Sequence, residues 1–187
     1  MTAIDDEAIL AATRRWIERA VIGLNLCPFA RAPFVQQRLH LRVSRARSKD
    51  ALLEDLSEEL IALHAADPLI RETTLLIHPD VLTEFLDYND FLDDADAAVL
   101  ALGLEGELQI ASFHPDYRFA DTAPDAIENC TNRSPYPALH LLRESSIEHA
   151  LEAIVDPDEI IRRNIETLRR LGADGWRVLM RGDDAAT

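Results

Sequence analysis

The sequence predicts an α/β fold: a two-layer sandwich of about four mostly parallel strands with helices. Three observations support this prediction. Segments with a strand-like pattern are separated by segments with helical spacing, and this order is typical of crossover connections between parallel strands. The first strand is apolar on one side only, so helices are not expected to cover both faces of the sheet evenly. The 187 residues fit one domain, residues 1–187, because no linker divides them.

The N-terminal part of the chain is predicted to contain a helix, a loop and a strand. Residues 5–23 carry apolar side chains at helical spacing, with acids in the first turn and Gly23 at the end, which predicts a helix. Two prolines in "NLCPFARAPF" indicate a loop, because proline restricts its own backbone and that of the residue before it. Strict alternation in "RLHLRVSR" predicts a strand with one side facing water or a ligand.

The remaining segments continue this alternation. We expect a helix over Lys49 to Ala65, a strand in "ETTLLIHP" and an acidic helix over Asp80 to Leu102 that Pro79 begins. A third and a fourth strand are expected in "GELQIASFHP" and "ALHLLRE", and a helix in "SSIEHALEAI". The last helix is expected to end at Gly172, and residues 173–187 are predicted to form an acidic, frayed tail.

The charge and the apolar runs of the chain limit its partners. The formal net charge is −15 at pH 7, so neither nucleic acid nor an anionic membrane is expected to bind. No apolar run approaches the ~18 residues of a membrane span, and the acidic start lacks the basic region of a signal peptide. A cytoplasmic protein is therefore expected. The two cysteines are far apart and form neither a CxxC motif nor a disulfide framework.

The candidate site is a long polar loop, residues 114–137, between the third and fourth strands. Loops without regular structure that exceed ~12 to 15 residues are uncommon in compact domains unless they are functional or disordered. Aromatic anchors such as Tyr117 and Tyr136 argue against disorder, so the loop is predicted to be ordered. It begins at the carboxyl end of a strand, which is where open α/β sheets bind their ligands.

The side chains of this loop favour a small anionic ligand. Arg133 is a planar fork suited to a carboxylate or a phosphate. The predicted substrate-binding residues are Arg133, Asn132, Ser134, Tyr117, Arg31 and Arg118. In the alternative interpretation, Asn and Ser side chains only cap the loop and Arg133 forms a structural salt bridge.

His114 and Cys27 are the predicted catalytic residues. His114 lies at the mouth of the loop and is a candidate acid, base or ligand. Cys27 is the candidate nucleophile, but free cysteine has a pKa near ~8.5, so its thiolate would need a cationic neighbour. A buried, inert thiol is the alternative. Cys27, Cys130 and His114 could also bind a soft metal, although their spacing does not require them to meet.

Several cofactor and catalytic motifs are absent from the sequence. There is no GxGxxG, GxxxxGK[ST], HExxH or GxSxG. The residues therefore indicate no dinucleotide, nucleoside triphosphate, zincin or hydrolase-elbow site, and no metal ligand or cofactor is assigned.

Three longer motifs carry a family resemblance. "NLCPFA", "QIASFHPDYRFA" and "TNRSPYPALHLLRE" resemble the motifs of a widespread bacterial family, the domain-of-unknown-function family numbered 1415. The resemblance spans most of the chain, from Trp16 to Ile165. It implies that the family's motif blocks include Cys27, Pro28, Phe29, His114, Pro115, Tyr117, Asn132, Arg133, Ser134, Pro135 and Tyr136. It supports the location of the site and implies no particular activity.

Two classes of function follow from these residues. The first is an enzyme acting on a small anionic metabolite, in which Arg133 holds the anion, His114 moves a proton and Cys27 attacks. The second is a binding module without turnover, in which the same groups recognise a carboxylate, a phosphate or a peptide. Titration of Cys27 or His114 at a shifted pH would favour the enzyme.

Overall fold

The computed structural model describes residues 5–151 and 157–181. Its α-helices are α1 (Asp6–Trp16), α2 (Arg31–Val35), α3 (Lys49–Ala65), α4 (Phe85–Ala101), α5 (Glu144–Leu151) and α6 (Pro157–Met180). Its strands are β1 (Leu39–Val43), β2 (Thr73–Ile77), β3 (Leu108–Phe113) and β4 (Ala138–Arg143). A π-helical segment, Ile17–Ile22, continues α1, and a 3₁₀ turn, Ile127–Thr131, lies in the loop between β3 and β4. The predicted α/β class is confirmed.

The four strands form one sheet in the order β1-β2-β4-β3. β1 and β2 are parallel, whereas β4 is antiparallel to both β2 and β3. The prediction of mostly parallel strands is therefore wrong. The reason is the connection between β3 and β4, which contains no crossover helix: Phe113 pairs with Ala138, and the loop between them returns the chain antiparallel to the strand it leaves.

Apolar clusters lie on both faces of the sheet. On one face, α3 and α4 pack against Leu76, Leu139 and Leu141. On the other face, α1 and the π-helical segment share a cluster with Leu75 and Ile77. Every residue of β2 is buried, as expected for a strand covered on both sides. The predicted two-layer arrangement is thus corrected to three layers at the centre of the sheet.

The polar side of β1 matches the alternating sequence pattern. His40 and Arg42 are exposed, while Leu39, Leu41 and Val43 face the cluster under α1. This side of the strand is polar because α3 does not cover it fully, and Arg42 reaches Glu59 of that helix at 3.7 Å.

The acidic helix α4 begins at Phe85 instead of Asp80. Leu82 has a φ of 55°, which turns the chain before the helix begins. The carbonyl oxygens of Val81 and Leu82 accept hydrogen bonds from the rings of His78 and His114, at 3.1 and 3.2 Å. Pro79 therefore begins a turn and not a helix.

Helical structure at the C-terminus extends beyond the predicted end. Gly172 has a φ of 69° and interrupts α6, but the helix resumes and continues to Met180. The predicted frayed tail is helical over residues 173–180, because Trp176 is buried in the cluster under α1. Residues 182–187 of that tail, and the end of the helix predicted in "SSIEHALEAI" from residue 152 onwards, lie outside the described residues.

Two further findings concern the helices. The short helix α2 lies in the segment predicted to be a loop. Among the helices within residues 5–151 and 157–181, none combines the length and the apolar character that a membrane span requires.

Candidate functional site

An open groove lies between the start of α4 and the loop at residues 114–137. Its volume is about 520 Å³, within the ~300–1,000 Å³ typical of small-molecule sites. The residues that line it are Glu84, Phe85, Leu86, Asp87, Asp116, Arg118, Pro124 and Arg133. The loop that the sequence indicated as the candidate site therefore forms one wall of this groove.

Asn129 holds this loop together from inside. Its side chain is fully buried. Its Oδ1 atom accepts hydrogen bonds from the backbone N–H of Phe119 at 3.0 Å and from the hydroxyl of Thr122 at 2.8 Å. Its Nδ2 atom donates to the carbonyl oxygen of Ala123 at 2.9 Å. One amide thus fixes residues 119–123, and the 3₁₀ turn that carries Asn129 places it there.

Two of the predicted substrate-binding residues hold the loop instead. The Nδ2 atom of Asn132 donates to the carbonyl oxygen of Ser112 at 3.1 Å, which attaches the loop to the end of β3. Ser134 is buried, and its hydroxyl donates to the carbonyl oxygen of Tyr136 at 2.6 Å. Neither side chain lines the groove.

Arg133 lines the groove and is fixed by backbone groups. Its Nε atom donates to the carbonyl oxygen of Tyr117 at 3.3 Å, and its Nη2 atom donates to that of Pro124 at 2.6 Å. The structural salt bridge considered in the sequence analysis is not formed, since no carboxylate within the described part of the chain pairs with Arg133. The guanidinium is therefore both held in place and not neutralised.

Arg118 and Tyr117 lie at the same wall. Arg118 is exposed and lines the groove. The ring of Tyr117 packs edge-on against Phe85, with ring centres 5.3 Å apart, and against Phe119 at 5.0 Å. Tyr117 thus supports the groove residue Phe85 from the loop side.

His114 is completely buried, and the backbone engages both of its ring nitrogens. Its Nδ1 atom accepts a hydrogen bond from the N–H of Asp116 at 3.0 Å, so the proton is on Nε2, which donates to the carbonyl oxygen of Leu82 at 3.2 Å. Burial lowers the pKa of His114 and favours this neutral form. In this arrangement His114 positions Asp116 and has no free nitrogen with which to move a proton.

Next to the groove residue Phe85 lies a buried cluster of three rings: His78, Tyr88 and His114. The ring of Tyr88 lies 5.7 Å from that of His78, nearly parallel to it, and 5.1 Å from that of His114. The hydroxyl of Tyr88 donates to the carbonyl oxygen of Ala138 at 2.9 Å and accepts from the N–H of Phe113 at 3.0 Å. It therefore fixes the ends of β3 and β4 at which the loop begins and ends.

His78 is neutral within this cluster. Its Nδ1 atom donates to the carbonyl oxygen of Val81, and its Nε2 atom is buried without a partner among the described residues. Burial lowers the pKa of His78 to about 4. His-Pro-Asp occurs twice in the chain, at residues 78–80 and 114–116. The histidines of both sequences hold the chain between β2 and α4, and the acid of the second sequence, Asp116, lines the groove.

Cys27 and Arg31 do not line the groove. Cys27 packs against the apolar cluster under α1, and Arg31 is exposed on α2. Burial raises the pKa of the Cys27 thiol, and the backbone N–H groups of Phe29 and Ala30 offset part of this effect. Cys130 is buried in the same cluster, where burial also raises its pKa, and both cysteines are free. The structure therefore places Cys27 in the environment of an inert thiol.

The reactivity of the two thiols provides a direct test of this placement. In the folded protein, iodoacetamide is expected to label Cys27 and Cys130 more slowly than a cysteine in a short unstructured peptide, because little thiolate forms and access is limited. Mass spectrometry over time measures the labelling, and the same reaction in urea should modify both thiols. Labelling of Cys27 at the rate of the peptide would contradict the placement.

The soft-metal interpretation gains no support from the geometry. Within residues 5–151 and 157–181, no group of three or more His, Cys, Asp or Glu side chains lies close enough to hold a metal ion. Cys27, Cys130 and His114 are therefore not brought together as a ligand set.

Sequence reasoning missed the wall of the groove that α4 contributes. Glu84 and Asp87 lie at the start of this helix, whereas the sequence pattern predicted both within a longer acidic helix. The loop wall contributes a further missed residue, Asp116, for which the sequence did carry a signal: His-Pro-Asp occurs at residues 78–80 and again at residues 114–116, each time after a strand.

Comparison with known proteins identifies a family. A family model described as "Protein of unknown function (DUF1415)" matches residues 8–178, which includes the groove and both cysteines. No curated protein and no solved structure matches the chain significantly. Because the match covers nearly the whole chain, the protein belongs to the DUF1415 family, as its motifs indicated.

Proposed function

We propose that the protein binds a small anionic metabolite in the groove between α4 and the loop, and that Arg133 and Arg118 hold its anionic group. The observation that carries this proposal is the state of Arg133. Its guanidinium is fixed by the carbonyl oxygens of Tyr117 and Pro124, has no carboxylate partner among the described residues, and lines a groove of small-molecule size.

A fixed guanidinium suits anion binding for two reasons. It forms strong charge-assisted hydrogen bonds with a carboxylate or a phosphate. Because its side chain is already ordered, less conformational entropy is lost when the ligand binds. Arg118 adds a second positive charge on the same wall, and its exposed side chain can adjust to the ligand.

Binding without turnover is the form of the proposal that the geometry supports best. The shifted pKa values of His114 and Cys27 would by themselves favour an enzyme, but the roles first assigned to these residues also require a free ring nitrogen and a thiolate. Both ring nitrogens of His114 are hydrogen-bonded to backbone groups, and burial raises the pKa of the Cys27 thiol, which disfavours its thiolate. These two observations support binding over catalysis by His114 and Cys27.

An enzyme in which Asp116 transfers the proton is the second candidate. Its carboxylate is exposed at the groove wall, and its backbone N–H is held by His114 at 3.0 Å. His114 would then be a positioning residue, and Asp116 would act as a general base towards the bound metabolite.

Ligand binding to an Arg118 variant tests the proposal. Short carboxylates and phosphate monoesters are screened by thermal shift, and the best compound is titrated by calorimetry. Arg118→Gln is expected to weaken its binding about tenfold, which corresponds to about 1.4 kcal/mol and to the loss of a charge-assisted contact. Arg118 is a better target than Arg133, because replacing Arg133 would also remove its hydrogen bonds within the loop.

The matched control is Arg31→Gln, which removes another exposed arginine, outside the groove. Its binding should equal that of the wild type. Equal binding by both variants, or no anion that shifts the wild-type melt, would refute the proposal. Consumption of the bound compound by the wild type, followed by NMR, would assign the enzyme candidate.

A further inference from the structure

We propose that the ligand of the groove carries an ammonium group as well as an anionic group, with a short hydrocarbon chain between them. This inference rests on the proposed function and defines its ligand class. It follows from the charges of both signs on the groove walls and from the apolar side chains that accompany them.

The groove contains more carboxylates than guanidiniums. Glu84 and Asp87 lie on the α4 side, and Asp116 lies on the loop side with Arg118 and Arg133. A ligand with negative charge alone would be attracted to the arginines but repelled by the three carboxylates, in a chain whose net charge is already −15. An ammonium group at the other end of the ligand would turn the α4 wall from repulsive to attractive.

The groove charges do not neutralise one another. Among the described residues, no ion pair joins Arg118 or Arg133 to Glu84, Asp87 or Asp116. Charges of both signs therefore face one groove unpaired.

Arginines elsewhere on the surface behave differently. Arg45 pairs with Asp6 and with Asp80, and Arg169 pairs with Glu128 at 2.5 Å. Ion pairs thus form elsewhere on this surface, whereas none joins the arginines to the carboxylates of the groove among the described residues. The positive and the negative side chains of the groove are therefore both available to a ligand.

Apolar side chains accompany these charges. Phe85, Leu86 and Pro124 line the same groove, and Leu86 is 65% exposed although it is a large apolar residue on a helix. The ring of Phe85 is held by Tyr117. A ligand whose two charged groups are joined by methylene groups would cover this apolar surface, which is favourable at about 25 cal/mol per Å² buried.

Three probes with six carbon atoms each separate the possibilities: 6-aminohexanoate, hexanoate and hexylammonium. Isothermal titration calorimetry of the full chain at low salt is expected to show 6-aminohexanoate binding at least tenfold more tightly than either singly charged probe. Low salt is used because exposed charges are screened over about 10 Å at 0.1 M ionic strength. In the double variant Glu84→Gln/Asp87→Asn, the preference for 6-aminohexanoate over hexanoate should disappear.

The control variant is Asp90→Asn, which removes an exposed carboxylate from the same helix outside the groove. It should keep the preference. Hexanoate binding as tightly as 6-aminohexanoate would overturn this inference and leave anion binding intact. No binding of any of the three probes would also overturn this inference, and tightest binding of hexylammonium would overturn the proposed function as well.

Discussion

Replacing Asn129 with alanine is expected to lower the free energy of unfolding by about 3 kcal/mol. The Asn129 amide makes three hydrogen bonds inside the loop, to Phe119, Thr122 and Ala123. Alanine would remove all three of these part-buried hydrogen bonds, and each such bond contributes about 0.5–1.5 kcal/mol to stability. The hydroxyl of Thr122 also lies 2.8 Å from the carbonyl oxygen of Phe119 and can donate to it once Asn129 is replaced, so part of the cost is recovered.

Urea unfolding followed by circular dichroism measures this loss. The matched control is Asn89→Ala, because Asn89 is an exposed residue of α4 outside the groove, and its replacement should change the free energy of unfolding by no more than about 0.5 kcal/mol. An Asn129→Ala protein as stable as Asn89→Ala would show that the loop does not depend on this amide. Ligand binding should also weaken in Asn129→Ala, because this amide orders the segment between Tyr117 and Pro124, whose carbonyl oxygens hold Arg133.

Acidification from pH 7 to pH 5 is expected to lower the free energy of unfolding by about 2 kcal/mol through His78 alone. Burial holds the pKa of His78 at about 4 in the folded protein, whereas an unfolded histidine titrates near 6.5. Between these values the unfolded chain binds the extra proton, so stability falls as the pH falls. The contribution of neutral His78 to the free energy of unfolding is therefore fully present well above pH 6.5 and is lost as the pH falls to about 4. Burial shifts the pKa of His140 and His114 in the same direction.

Urea unfolding at pH 7.0, 6.0 and 5.0 tests this dependence before most carboxylates become protonated. His78→Gln should reduce the slope of stability against pH, although the variant is expected to be less stable at pH 7. His64→Gln is the control, because the side chain of His64 is 47% exposed and lies outside the ring cluster. A wild-type stability that stays constant from pH 7 to pH 5, or an equal slope in His78→Gln, would exclude His78 as the source.

The helices and strands were largely predictable because their patterns are local. α3 has the predicted limits, Lys49 to Ala65, and each strand lies within its predicted segment. The pairing of the strands was not predictable in the same way, because periodicity describes one segment at a time. The place of β4 between β2 and β3 depends on contacts that are distant in sequence, and the missing helix between β3 and β4 was the one local sign of it.

The location of the groove was also predictable, whereas the hydrogen bonds of the predicted site residues were not. A long, polar, anchored loop at a strand end indicated the place, and Arg133 and Arg118 do line the groove there. His114 uses its Nε2 atom in a hydrogen bond to the carbonyl oxygen of Leu82. That oxygen faces the ring because Leu82 adopts a positive φ in a backbone turn. Such a turn at a leucine has no clear sequence signal, so a histidine satisfied by the backbone and a catalytic one looked alike.

The position of β4 in the sheet has a consequence for the order in which the nascent chain can fold. Among the strands of residues 5–151 and 157–181, β4 is the last to leave the ribosome, yet it is the only one that pairs with β3, and it links β3 to the β1–β2 pair. β1 and β2 can pair as soon as both have emerged, whereas β3 must wait for residues 138–143. The sheet is therefore completed in one late step, and a chain released before Ala138 leaves the apolar residues of β3 without a strand to pair with, a state prone to aggregation.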